Sequence, residues 1–387
     1  MKDAPIIILG AGPAGLSLAH ELGRRGLDYL VLEKASEVGN TFYSMTDSTE
    51  YGPWLNNTLP GSPAPLSKIF SRTTRSEYAR YLSHYRHQHD LKVQTNTSVI
   101  SAHRTEDGFE VETDRGMFHC TVLVNATGYF SNPFTPDFTG LNSTSIKTLH
   151  SCDYVSPTTI SELVGKPTAK ILIVGCRLSA GEIMEELHRV GHTLHLSYRG
   201  KLKYWPSPTE EALISPLAMA WELIALKLRA PKPFNLNPRL RRGYQKSLLD
   251  QGVVPTHPNI KEIGATHVEF IDGVSEEFDA ILFCTGYQAA LSHLWPILNG
   301  EKPKVSKLEC VHIKNLFFLG YEHSRNFRSQ FLRGIRDDAC FLGEVLQERL
   351  SALDRIHIKG SGFSAAPEAE TSAAPVSTEE SGSKLPS

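Results

Sequence analysis

No two cysteines form a CxxC pair, no His/Cys spacing matches a metal site, and no apolar stretch is long enough to span a membrane. The six cysteines (Cys120, Cys152, Cys176, Cys284, Cys310 and Cys340) are dispersed, which argues against a redox-active dithiol and for free thiols in a reducing compartment. Dispersal also gives no reason to expect a bound metal. A formal net charge of −2 leaves no basic excess to hold nucleic acid. The first apolar run is not preceded by a basic segment, so no secretion signal is expected and a cytoplasmic location is. The Asn-x-Ser/Thr sequons at Asn56, Asn96, Asn125 and Asn142 then carry no meaning. At 387 residues the chain is long enough for two domains with sizeable cores.

What is present is concentrated in Pro5 to Glu33. Ile6-Ile7-Ile8-Leu9 is a fully apolar strand running into Gly10-Ala11-Gly12-Pro13-Ala14-Gly15. A helix follows through Leu16 to Leu22, and a second strand, Tyr29 to Leu32, ends at Glu33. This order is that of a dinucleotide-binding unit. Gly10 makes the tight turn, Gly12 lets backbone approach a pyrophosphate, and Gly15 lets helix pack on strand. The helix N-terminus holds the phosphates. Glu33 stands 18 residues past Gly15, where its carboxylate accepts from an adenosine ribose.

The pattern occurs twice. Lys170 to Val174 is a second buried strand, followed by Gly175-Cys176-Arg177-Leu178-Ser179-Ala180-Gly181-Glu182, a helix through Val190, and a strand from Thr193 to Tyr198 ending at Arg199. Each unit also closes on a strand leading into Thr-Gly-Tyr, at Thr127-Gly128-Tyr129 and Thr285-Gly286-Tyr287. The expected fold is therefore α/β with two Rossmann-like dinucleotide-binding domains and a helical insertion in the second. Arg199, 19 residues past Ala180, is read as the counterpart of Glu33. A carboxylate suits a free ribose 2′-hydroxyl and an arginine a 2′-phosphate, which assigns FAD to the first unit and NADPH to the second. Lys201 and Lys203 add charge nearby. Arg177 replaces the second glycine, hindering close backbone approach to the pyrophosphate while offering a guanidinium to phosphate.

Between the units, Tyr51 to Ser67 reads as irregular, with Trp54, Asn56 and Asn57 able to stack and hydrogen-bond against a planar ring. Thr74 to Asp90 reads as a helix with Tyr78, Tyr81, Leu82 and Tyr85 on one face, and 97–124 as a strand meander. The expected boundaries are 1–155 with 288–352 for the FAD domain and 156–287 for the NADPH domain, with an apolar insertion at about 204–245. A disordered tail is expected over 359–387.

With these motifs in hand, the chain resembles the flavin-dependent monooxygenases with two dinucleotide-binding domains, a group that includes the flavin-containing monooxygenases and their YUCCA relatives. The resemblance runs from about Ala4 to Leu346. It rests on the glycine motif at 10–15, the Gly39-to-Phe42 loop, the two Thr-Gly-Tyr elements and Gly175-x-Arg177-x-Ser179-Ala180-x-Glu182. The family's linker fingerprint survives only at its end, His150 to Tyr154; Thr144 stands where Phe is usual and Ile146 where Gly is usual. Tyr154-Val155 in place of Trp-Pro favours the heteroatom-oxygenating and YUCCA-like branch over Baeyer–Villiger enzymes. The resemblance carries cofactor contacts to Lys34, Thr41, Phe42, Val99, Thr127, Gly128 and Gly320. It implies an NADPH- and FAD-dependent monooxygenase that acts with O2, through a C4a-hydroperoxyflavin, on a small organic substrate. Asn57, or Asn56 beside it, is the implied donor to the reactive oxygen. His150 is read as at least as much an interdomain structural residue as a chemical one.

The insertion leaves three readings of Ala212 to Leu228 open: a lid over a lipophilic substrate, an interfacial membrane helix, or core packing. Arg325, Arg328, Arg333 and Arg336 are expected on a solvated or interdomain face. Alternatives to oxygen insertion are a nicotinamide-dependent oxidase or reductase and a nucleotide-sensing homologue without turnover.

Overall fold

The computed structural model describes residues 2–45, 50–64, 66–228 and 239–360. Two compact units result, Met1–Glu344 and Val345–Ser387. The first holds both sheets; in the second, the described residues continue the helix Leu332–Gly360. Most of the expected tail lies outside the described residues.

The first sheet is seven-stranded. Leu316–Phe318, Val122–Asn125, Ile6–Leu9, Leu30–Leu32 and Val93–Gln94 are parallel in that order, and an antiparallel pair, Val305–Ser306 and Glu309–Cys310, extends one edge. Ile6 to Leu9 is buried along its whole length, as a central parallel strand covered on both faces must be. The second sheet places Lys147–His150, Ala280–Phe283, Lys170–Val174, Thr193–Ser197 and Thr256–His257 in parallel. In both sheets the strand entering Thr-Gly-Tyr lies beside the glycine-turn strand, which in turn lies beside the strand that would meet the ribose. The duplication is thus one of topology as well as motif. It extends to a feature not read from sequence: the three-stranded meander over 260–277 takes the place in the second unit that the meander over 99–120 takes in the first.

Lys147–His150 pairs with Ala280–Phe283, so the second sheet already contains residues placed by sequence in the first domain. The proposed boundary at 155 therefore falls too late. The physical crossover is earlier, where 132–134 runs antiparallel to 286–288: Phe134 N donates to Gly286 O at 2.9 Å and Gln288 N to Asn132 O at 2.9 Å.

The segment after Tyr51 is less irregular than expected, with a short strand, Glu50–Pro53, and one helical turn, Trp54–Asn57. The helix Arg75–Gln88 follows the expected pattern and starts from a capping box between Thr74 and Glu77. Its buried Tyr78 and Tyr85 donate to the carbonyls of Asn57 and Pro60 at 2.9 and 2.6 Å. This helix therefore fixes the loop that carries both asparagines.

Candidate functional site

Local geometry at the first glycine turn separates three roles. Gly10 has φ +98°, and a Cβ there would stand 2.9 Å from the Ala126 carbonyl oxygen. A Cβ on Gly15 would stand 2.0 Å from the Gly10 carbonyl oxygen. Gly12 has φ −80°, which any residue adopts, and a Cβ on it would meet nothing within 4 Å. Gly10 and Gly15 are thus required by packing, whereas Gly12 faces open space. That space adjoins the N-terminus of helix Pro13–Arg24, which has no side-chain cap. Uncapped amides beside room for a ligand fit a pyrophosphate. Glu33, buried, accepts from the backbone N–H of Ala11 at 2.7 Å and of Ala35 at 2.9 Å, so its carboxylate is fixed at the end of the strand.

These groups open onto a cavity of about 1480 Å³. Its wall includes Gly10, Gly12, Pro13, Ala14, Glu33, Lys34, Thr41, Phe42, Asn56, Asn57, Val99, Thr127, Gly128 and Gly320, brought together from distant parts of the chain. Gly15 packs behind the wall. Trp54, expected as a stacking face, is instead buried against Tyr78 and Tyr81.

The two asparagines differ. Asn57 is buried, and its Nδ2 donates to Gly52 O at 2.7 Å and to Thr73 Oγ1 at 3.2 Å. Both amide hydrogens are committed to the loop. Asn56 is half-buried on the cavity wall.

The second glycine turn repeats the first. Gly175 has φ +125°, and a Cβ there would lie 2.3 Å from the Cys284 carbonyl oxygen, the counterpart of Ala126. Register corrects one expectation. Gly10 N donates to Leu32 O and Gly175 N donates to Ser197 O, so Tyr198, not Arg199, takes the position of Glu33. Arg199 is one residue further and exposed, as are Arg177 and Ser179. Arg177 is the N-cap of helix Leu178–Arg189 with extended backbone, so a side chain there causes no strain. Burial raises the Cys176 thiol, and the nearby charges of Arg177 and Arg199 oppose that rise. Both guanidiniums therefore flank one uncapped helix N-terminus. Ala180 is buried in the helix and Glu182 is half-buried near Tyr51. None of Gly175, Arg177, Ser179, Ala180, Glu182 or Arg199 lines the cavity; Leu178, from the same turn, does.

His150 ends strand Lys147–His150 and is held within the second unit, not between the two. Its Nδ1 accepts from Cys152 N at 3.1 Å, so Nε2 carries the proton donated to Gly286 O at 3.1 Å. Burial, the largest influence, lowers its pKa. Both ring nitrogens are committed to backbone, which is a structural role.

Sequence reasoning missed His293 and Asn125, for which no local pattern exists. His293 Nε2 is 3.0 Å from Asn125 Oδ1, which also lies 3.0 Å from Thr127 Oγ1; with Oδ1 as acceptor, the ring proton sits on Nε2. Burial pushes the pKa of His293 down to about 4. An unfolded histidine titrates near 6.5, so the unfolded chain binds the extra proton between these values. Stability is accordingly complete above about pH 6.5 and falls as pH drops toward 4, by up to about 3 kcal/mol from this residue. Chemical denaturation of His293→Gln between pH 7 and pH 4.5 should lose less stability than the parent.

The insertion forms helix Pro208–Lys227, begun by a Ser207–Glu210 capping box. Leu213, Ile214, Leu217, Trp221, Ile224 and Leu228 are exposed, so core packing does not describe these six, whereas Ala225 is buried. No helix among the described residues is long and apolar enough to cross a membrane. Its Glu222 lines the cavity and accepts from Arg333 Nε at 2.9 and 3.1 Å, while Arg328 Nε lies 2.9 Å away at a poor hydrogen-bonding angle. Arg328 also pairs with Asp337, and Arg325 with Asp338, both at 3.0 Å. These arginines are therefore not a solvated face. Arg336 Nη1 donates to Thr58 at 3.2 Å. Glu222→Ala leaves Arg328 and Arg333 facing each other without their shared anion. Faster amide exchange over 208–227 and a loss of about 1–3 kcal/mol are expected.

A family described as pyridine nucleotide-disulphide oxidoreductase matches residues 7–220. An uncharacterized CzcO-like oxidoreductase of Geobacillus kaustophilus is 24% identical over 351 residues, covering 87% of this chain and 96% of the relative. The probable indole-3-pyruvate monooxygenase YUCCA3 of Arabidopsis thaliana is 28% identical, covering 73% of each. The solved flavin-containing monooxygenase of Stenotrophomonas maltophilia superposes with a TM-score of 0.75 at 21% identity, covering 90% of this chain and all of that one.

Proposed function

For a chain that belongs to the pyridine nucleotide-disulphide oxidoreductase family and groups with flavin-dependent monooxygenases, we propose NADPH- and FAD-dependent insertion of one oxygen atom into a small organic substrate. The balance is substrate, NADPH, H⁺ and O2 going to oxygenated substrate, NADP⁺ and water. The observation that carries this reading is the single cavity joining the glycine turn and Glu33 to Trp205, Ile214 and Glu222 of the insertion. Its volume exceeds the roughly 300–1,000 Å³ of a site for one small ligand. There is room for a dinucleotide and a substrate together.

Bound flavin supplies hydride acceptance from the nicotinamide and activation of dioxygen. The chain's own residues bind and orient. Glu33 accepts from the ribose, the amides after Gly12 hold pyrophosphate, and Gly128 and Gly320 line the path between them. Arg199 and Arg177 take the NADPH phosphates at the second turn, outside the cavity wall. Trp205, Ile214 and Phe331 supply apolar surface that excludes water. Asn56, rather than Asn57, is the donor toward activated oxygen, because the amide hydrogens of Asn57 already serve Gly52 and Thr73.

Asn56→Ala should therefore raise H2O2 released per NADPH several-fold with little change in melting temperature, while Asn57→Ala loses about 1–2 kcal/mol of stability. The reading itself is tested by following NADPH oxidation and H2O2 release together across candidate substrates. A substrate that accelerates the first and suppresses the second is expected. One peroxide per NADPH with every candidate would instead mark an oxidase.

A further inference from the structure

Away from the cavity, three ligand-type side chains converge from separate strands of the second unit. His195 lies on Thr193–Ser197, His257 on Thr256–His257 and Glu276 on Ser275–Glu277. His195 Nδ1 and His257 Nε2 are 2.8 Å apart, and Glu276 Oε2 is 3.9 Å from His195 Nδ1. One ligand atom from each lies within 4.8 Å of the others. We propose that His195, His257 and Glu276 bind a divalent transition metal of the zinc type, with water completing the coordination.

Two imidazoles and a carboxylate are ligands suited to such a metal. An apolar shell fixes the rings: Phe270 stacks on His257 at 4.1 Å, and Phe278 meets His195 edge-on at 5.2 Å. Tetrahedral coordination at about 2.0–2.1 Å puts donor atoms roughly 3.3 Å apart. The nitrogens must separate by about 0.5 Å, and the carboxylate must close by about 0.6 Å on His195 and by up to about 1.5 Å on His257, which calls for a rotamer change of Glu276.

Metal-free, the cluster is held by the imidazole–imidazole hydrogen bond and by Lys170, whose Nζ lies 2.5 Å from Glu276 Oε2. Loading requires the bridging ring to change tautomer and the Lys170 ammonium to leave. The Lys170–Glu276 pair is about one-third exposed, so its loss costs little. Lys170 is thus a built-in competitor of the metal. The bound ion would fasten the 260–277 meander to the edge of the parallel sheet. There Tyr198 N donates to His257 O at 3.2 Å, one residue from Arg199.

The test is calorimetric titration of Zn²⁺ into the full-length, flavin-loaded protein after chelator treatment. One equivalent per chain is expected, weakened about tenfold or more by Glu276→Gln and tightened up to about fivefold by Lys170→Gln. The gain in Lys170→Gln cannot arise from misfolding. No Zn²⁺ uptake, or any pattern other than these opposite shifts, overturns the site and identifies the pair as hydrogen-bonded core histidines.

Discussion

Gly12→Ala should yield a chain that folds normally but purifies without flavin, whereas Gly15→Ala should fail to reach the native fold. The two residues sit three positions apart in one motif, yet the space around them differs completely. At Gly12 the backbone needs no glycine and a methyl group meets no protein atom within 4 Å. The methyl group enters only the room through which backbone approaches a phosphate. A melting temperature within about 2 °C of the parent and flavin affinity weakened about 100-fold, near 2.7 kcal/mol, are expected. At Gly15 the same methyl lies 2.0 Å from the Gly10 carbonyl oxygen, a backbone atom that cannot rotate away. The helix must lift off the central strand, at a cost of about 3 kcal/mol or more. Melting curves and the flavin-to-protein absorbance ratio distinguish the two. Loss of flavin and fold together in Gly12→Ala would contradict the placement of the pyrophosphate.

Arg199→Ser should raise KM for NADPH about 10- to 100-fold and leave KM for NADH nearly unchanged, corresponding to about 1.4–2.7 kcal/mol for a charge-assisted phosphate contact. Exposure of Arg199 places the expectation toward the lower end, and Arg177, on the same helix end, carries part of the charge. Arg199→Glu should go further and invert the preference toward NADH. Steady-state kinetics with both nucleotides decide the matter. Equal loss with NADPH and NADH would move Arg199 from the 2′-phosphate to the pyrophosphate.

Short-range chemistry was the legible part of this chain. The glycine turns, the flanking apolar strands and the helix Arg75–Gln88 each depend on residues within a few positions of one another, and each formed as read. Displaced readings all depended on long-range register. Arg199 looked like the partner of Glu33 because residue counting carries a one-position error that only the Gly175–Ser197 hydrogen bond corrects. Lys147–His150 looked like part of the first domain because nothing in it announces pairing with residues 280–283. Arg333 and Arg336 looked as if on a solvated or interdomain face because their partners, Glu222 and Thr58, lie 111 and 278 residues away in sequence. His293 and Asn125 had no signal because a buried histidine–amide pair is defined by where a strand end and a helical turn 168 residues apart meet. The family resemblance placed Asn57 before Asn56, while the hydrogen bonds to Gly52 and Thr73 favour the reverse.

The account rests on NADPH and flavin acting in sequence on oxygen, and stopped-flow absorbance of the purified protein tests it most directly. The flavin is first reduced anaerobically with NADPH and then mixed with oxygenated buffer. Reduction faster with NADPH than with NADH, followed by reoxidation in two separable phases with delayed peroxide release, is the predicted result. Single-phase reoxidation with stoichiometric peroxide, or no reduction by NADPH at all, would contradict it.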